Sequence, residues 1–208
     1  MKNKKTLALI LSLVLVIGIA AGATVAWFTD TTDEVVNTFT VGNIDIDLDE
    51  TTGEEYKMIP GWTITKDPYA TVTADSEDCY LFVEVTEDIG EFSYTPSGTQ
   101  TPVKATFDAF LSYGIADAWT ALPGYPGVYY KVIDSAEEKG DANKHYVLKD
   151  NKVTTNATVT KEMMDALEEA GEDAYPTLSF KAYACQLYST NDTLFGEVDA
   201  WKTVKGIS

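Results

Sequence analysis

An all-β fold, an antiparallel jelly-roll-like β-sandwich with two or three short helices, is predicted by three features of the sequence. Runs of β-branched and aromatic residues recur along the chain, turn residues separate them at short intervals, and helical spacing appears only briefly. The 12 Tyr and 8 Phe suit strands better than helices.

The chain opens with Lys2, Lys4 and Lys5, followed by an uninterrupted apolar run from Leu7 to Ala23 and then small residues. This is the three-part grammar of a secretory signal peptide, read over residues 1–26. The run is at the short edge of what spans a bilayer, about 20 residues, and no basic flank follows it, so membrane contact is expected only transiently, through the signal. Cleavage between Ala26 and Trp27 uses Thr24 and Ala26 as the small residues; cleavage after Ala23 uses Ala21 and Ala23. The spacing fits both. Residues 27–38 carry Trp27, Phe28, Val35 and Val36 in an otherwise polar stretch without apolar periodicity. They read as an unanchored N-terminal segment, free after cleavage to pair with another surface. The sandwich domain is assigned to residues 39–208.

Within that domain Ile44, Ile46 and Leu48 alternate with Asp45, Asp47 and Asp49, the pattern of a half-buried strand. The acidic row could serve calcium, but carboxylates along one flat face do not wrap an ion, and a solvated edge is the reading adopted. Pro60-Gly61 marks a turn; residues 62–66 and 69–73 read as strand pieces around Asp67-Pro68. Residues 79–86 form the strongest strand pattern in the chain. Residues 87–105 look like loop, and Phe107, Phe110 and Leu111 have helical spacing. Residues 119–122 and 128–133 read as a hairpin closed by a proline-glycine loop, and 145–148 and 152–159 as a second hairpin around Asp150-Asn151. Thr160 caps a helix with Glu162 in its first turn, Met163, Met164 and Leu167 on its apolar side, and Gly171 at its end. Residues 178–187 form a long strand, and Phe195, Val198 and Trp201 a closing amphipathic helix.

The 208 residues include 15 Lys, no Arg and 33 acids, a net charge of −18. Loss of the three leader lysines leaves 12 Lys against 33 acids, or −21. Such a charge repels phosphate backbones, so nucleic acid is excluded as a partner. Cys79 and Cys185 are too few for a disulfide framework and read as core thiols, with a bridge between them left open. There is no H-E-x-x-H, G-x-S-x-G, phosphate loop or dinucleotide fingerprint, and His145 is the only histidine. No catalytic, cofactor or metal residues are assigned, and the chain is read as non-catalytic. Trp62, Trp119, Tyr125 and Tyr129 could form a polysaccharide platform, though such rings more often pack a sheet.

The junction Ala26-Trp27-Phe28-Thr29-Asp30, the stretch Asn37 to Ile46, the Ile59-Pro60-Gly61 turn and the strand Tyr80 to Val85 resemble the TasA/camelysin (CalY) family of Gram-positive bacteria. Ala182 to Gln186 and Ala200-Trp201 look similar as well. The resemblance implies a signal peptide cut by a SipW-type signal peptidase at Ala26–Trp27. It implies a jelly-roll subunit of extracellular matrix or biofilm fibres, secreted or at the cell surface, whose partners are itself or related matrix subunits. In that family the N-terminal strand of one subunit fills a groove in the next, which maps the donor segment onto Trp27 to about Asn37. Camelysin itself is classed as a metallopeptidase, and that activity is the alternative, beside a polysaccharide-binding sandwich.

Overall fold

The computed structural model describes residues 44–53, 56–74, 76–134, 143–189 and 193–207. In chain order the strands begin with β1 (Ile46–Asp49), β2 (Thr63–Thr65), β3 (Tyr69–Val72) and β4 (Cys79–Asp88). A small hairpin follows, β5 (Ser93–Tyr94) and β6 (Val103–Lys104), then the single turn α1 (Phe107–Phe110) running into β7 (Leu111–Ile115). Next come β8 (Thr120–Ala121), β9 (Val128–Ile133), β10 (His145–Tyr146), β11 (Leu148–Thr155) and α2 (Lys161–Ala170). The chain closes with β12 (Thr177–Gln186), β13 (Tyr188–Ser189), β14 (Thr193–Leu194) and α3 (Glu197–Lys205).

The strands form two facing antiparallel layers. One has the order β12-β4-β9-β8. The other joins β1-β3-β10 to β2-β11-β7, because β2 leads into β3 and β10 into β11 with hydrogen bonds across the joints: Val147 N–H to Pro68 O and Lys66 N–H to Asn151 O, both 2.9 Å. From β3 the chain crosses to β4, returns at β7, crosses to the β8–β9 hairpin, returns through β10 and β11 and crosses again to β12, the crossing pattern of a jelly roll. Between them lies the main core: Ala70 and Val72 from β3, Leu81, Val83 and Val85 from β4, Ile133 from β9, with Ile44, Ile46, Phe180 and Ala182 at its margin.

The central strand β4 is buried on both faces. Its odd positions, Cys79 to Val85, face the main core, while Tyr80 and Phe82 face a second cluster containing Leu122, Val128, Leu187 and Trp201. That outer cluster is covered by α3, whose Trp201 ring lies 5.4 Å from Phe82 and 5.1 Å from Tyr183. The closing helix was expected to cap one end of the sandwich; it lies instead along the outer face of β4 and β12. Acidic Glu197 and Asp199 in its first turn and Lys202 and Lys205 in its last complement the helix dipole. Gly206, at φ 65°, ends it. Lys205 donates to Glu84 at 2.9 Å and to the Tyr183 hydroxyl at 3.0 Å, tying the helix end to both strands.

A third cluster fills one pole, with Phe110, Val159, Met163 and Leu167 at its centre. Here α2 matches expectation: Thr160 Oγ1 accepts from Met163 N–H, and Gly171 takes a φ of 92° at the stop. Three expectations change. The predicted hairpin around Asp150-Asn151 is no reversal: both residues adopt positive φ, 55° and 54°, as an irregular excursion within β11. β2 and β7 grip residues 152–155 from either side, so the chain continues forward. Leu111 starts a strand rather than ending a helix, and the supposed loop 87–105 contains the β5–β6 pair. Leu48 stays 37 % exposed at the sheet margin, unlike Ile44 and Ile46. Cys79 and Cys185 occupy opposite faces of the β4–β12 pair, so no disulfide joins them.

Truncating the helix anchor by Trp201→Ala is expected to cost about 3–5 kcal/mol, read from denaturant melts; an unchanged midpoint would show that the second cluster is dispensable. Gly127 combines φ 79° with a Val85 carbonyl oxygen only 2.7 Å from where a Cβ would stand. Gly127→Ala is expected to destabilise by about 1–3 kcal/mol and to lower the melting temperature.

Candidate functional site

The chain enters the sandwich along a sheet edge. β1 pairs with β3 alone among the described strands, with Ile46 opposite Val72 and Asp49 opposite Tyr69. Just before β1, Asp45 donates its N–H to Ser76 Oγ at 3.1 Å and its carbonyl accepts from Thr73 N–H at 3.0 Å. Its alternation aims Ile44 and Ile46 at the core and Asp45, Asp47 and Asp49 at solvent. The signal junction Ala26–Trp27 and the donor-segment residues Trp27, Phe28, Val35 and Val36 lie outside the described residues.

At the far end of β1 the chain is clasped to the β2–β3 joint. Asp67 is buried, and its carboxylate accepts from the backbone N–H of Thr51 at 3.1 Å, that of Thr52 at 3.0 Å, and the Thr51 hydroxyl. Beside it Lys66 pairs with Glu50 at 2.8 Å, both side chains largely buried. The Tyr56 ring lies 5.6 Å from the same ammonium. Burial raises the Asp67 pKa, but the hydrogen bonds from Thr51 and Thr52 outweigh it, so the carboxyl titrates below its ordinary value. This clasp was not read from the sequence. Its signal was the turn dipeptide Asp67-Pro68, which does not reveal a carboxylate reaching back to Thr51-Thr52.

The outer side of β1 borders a shallow cleft lined by Asp47, Leu48, Asp49, Tyr69, Thr71 and Lys144. The Asp49 carboxylate accepts from its neighbour Glu50 N–H at 2.8 Å and from the Tyr69 hydroxyl at 3.2 Å, while the Lys144 ammonium sits 4.0 Å from the centre of the Tyr69 ring. Asp49, answering to a backbone amide and a phenol, belongs with exposed Asp47 to a solvated edge. Among the described residues no group of three or more His, Cys, Asp or Glu side chains converges as metal ligands would.

The remaining candidates assemble only in part: Tyr125 and Tyr129 line one cleft with Ala121, Pro126 and Gly127. Trp119 is buried, donating its indole N–H to Tyr146 O at 2.8 Å; Tyr129 borders the main core and Tyr125 the outer cluster. Trp62 is exposed, and neither it nor Trp119 lines the cleft of Tyr125 and Tyr129, so the four rings do not share one platform. His145 was expected in a polar hairpin but is buried, sharing the inward face of Ala70, with its Nδ1 3.0 Å from Lys131 Nζ.

Asp67→Ala is expected to cost about 1–3 kcal/mol at neutral pH by leaving two partly buried amides without their acceptor. Because the folded pKa lies below the unfolded one, the contribution is fully present above the unfolded carboxylate range and lost as pH falls through the folded value. The stability gap between the parent and Asp67→Asn should therefore narrow toward acid pH in matched urea melts; a gap that widens would contradict the assignment.

No curated protein and no solved structure matches the chain. The sequence model of the family described as camelysin metallo-endopeptidase matches residues 1–73, a stretch that takes in β1, the clasp partners and β2–β3. That match over the N-terminal third bears out the resemblance of the chain to the TasA/camelysin family.

Proposed function

We propose that this protein is a secreted structural subunit of an extracellular matrix or biofilm fibre, assembled by donation of the segment 27–38 to the sheet of a neighbouring copy. The observation that carries the reading is the entry of the chain along an edge strand. β1 is fastened at both its ends, so a segment preceding it can be engaged elsewhere without unravelling the sandwich. Strand addition satisfies backbone groups along an open edge, and a head-to-tail contact of this kind repeats indefinitely. Processing by a SipW-type signal peptidase between Ala26 and Trp27 supplies the free end. The family match supports an extracellular or cell-surface setting.

Electron microscopy of the purified processed protein is expected to show filaments, and deletion of residues 27–38 to abolish them while leaving the melting temperature within about 2 °C. Strictly monomeric protein across acid and divalent-cation conditions would sink this reading.

A second reading, a camelysin-like metallopeptidase, draws on the description of the matching family. Casein digestion that stops on adding a chelator and disappears in His145→Gln would favour it over the fibre subunit.

A further inference from the structure

We propose that the outer edge of β12 is the acceptor in strand donation: the 27–38 segment of a neighbouring copy pairs along it and covers the gap in the sandwich between β12 and β1. The inference rests on the strand-donation reading and adds to it the place where the segment docks.

β12 is the last strand of its layer, paired on one side with β4 and, among the described strands, with none on the other. Its ten residues run in unbroken register with β4, from Thr177 opposite Asp88 to Gln186 opposite Cys79, without a bulge. The run holds no proline and no carboxylate, and its one charge is Lys181. Sheets ordinarily blunt such an edge by shortness, proline, a bulge or charge. The other edge strands, β1, β7 and β8, have only four, five and two residues, and β1 also carries exposed aspartates. β12 is the long, straight edge that remains.

The core behind this edge is incomplete. Leu178, Phe180 and Ala182 point from β12 into the main core yet stay half-buried. Val85 and Val83, the partners of Phe180 and Ala182 on β4, are buried. Ile44 and Ile46 join the same cluster from the facing layer and are half-buried too. Since β1 lies beside β12, the two half-covered rows border one opening between the layers. The clasp bounds it, with Lys66 Nζ 6.0 Å from the centre of the Phe180 ring. A strand added to β12 satisfies the backbone of the edge and takes this apolar row out of water.

The segment fits the edge in length, side chains and charge. Residues 27–38 are enough to span a ten-residue strand, and Trp27, Phe28, Val35 and Val36 supply apolar side chains for the uncovered row. Asp30, Asp33 and Glu34, with no lysine in the segment, complement exposed Lys181, whereas the aspartates of β1 repel them. A second β12 in the same place offers that lysine no carboxylate. Segment and edge are separate parts of each copy, so one molecule can lend its tail while its own β12 receives another, and the contact propagates.

The test follows hydrogen exchange of the processed protein by mass spectrometry, as dilute monomer and as filaments. On assembly about half the amides of residues 177–186, those aimed at the open edge, are expected to slow by about ten-fold or more, with residues 111–115 and 120–121 unchanged. Lys181→Glu is expected to raise the concentration needed for filaments by about ten-fold at low salt, a difference that shrinks as salt rises. Should that variant lower the melting temperature, Lys181→Gln carries the same test with a smaller shift. Filaments whose slowing falls on another edge would overturn β12 as the acceptor while leaving strand donation standing. Slow exchange over 177–186 already in the monomer, lost on deleting residues 27–38, would place the segment on its own chain and overturn the proposal. Filaments that persist after that deletion, or protein that never associates, would remove this proposal and strand donation together.

Discussion

The structure depends on one strand having no solvent face. β4 pairs along its length with β12 and over its first six residues with β9, while its alternate side chains enter two different apolar clusters. A strand buried on one face leaves the opposite side to water and reads as alternation; a strand buried on both must be apolar throughout, as Cys79 to Val83 are. Every larger feature follows from that requirement. The second layer covers one side, and α3 with the 122–128 loop covers the other.

How the second side is covered explains the aromatic content. Tyr80, Phe82, Tyr130, Tyr183 and Trp201 are large, and all but Phe82 carry a polar group that the narrow space between two sheets would leave without a partner. Beneath a surface helix they pack in tilted and edge-to-face contacts, while the Tyr80 and Tyr183 hydroxyls find partners at the rim. Tyr183 shows this: its ring packs against Trp201 while its hydroxyl contacts Glu84 and Lys205. Burial raises the pKa of the Glu84 carboxyl, but hydrogen bonds from Lys205 and Tyr183 outweigh it and hold the group charged.

Most of the element positions were legible because the local signals were strong and agreed: the apolar run of β4, the Pro-Gly loop before β9, and the Thr160 cap and Gly171 stop of α2. What misled were signals that were locally correct and globally overruled. Asp150-Asn151 does adopt the left-handed geometry its residues favour, yet two neighbouring strands hold the chain on course. His145 was read only as part of a polar hairpin, and its pairing opposite Ala70 turns it inward. The clasp was invisible for a different reason. Nothing in the spacing of Thr51, Thr52 and Asp67 reveals that a carboxylate bridges them, because the contact depends on the angle at which the chain leaves β1. The N-terminal junction carries the family resemblance, and its grammar is one of sequence rather than of packing.

The clasp also sets how the molecule would bear load. A pull applied to the tail arrives first at Asp45 and the four backbone pairs of β1, a short edge strand with modest side-chain burial. Those pairs can strip one after another. Traction then reaches Asp67 with its Thr51 and Thr52 bonds and the Lys66–Glu50 pair, which must break together rather than in sequence. Under tension the edge strand acts as slack and the clasp as a mechanical stop, so extension of the tail is arrested before the layered core is strained.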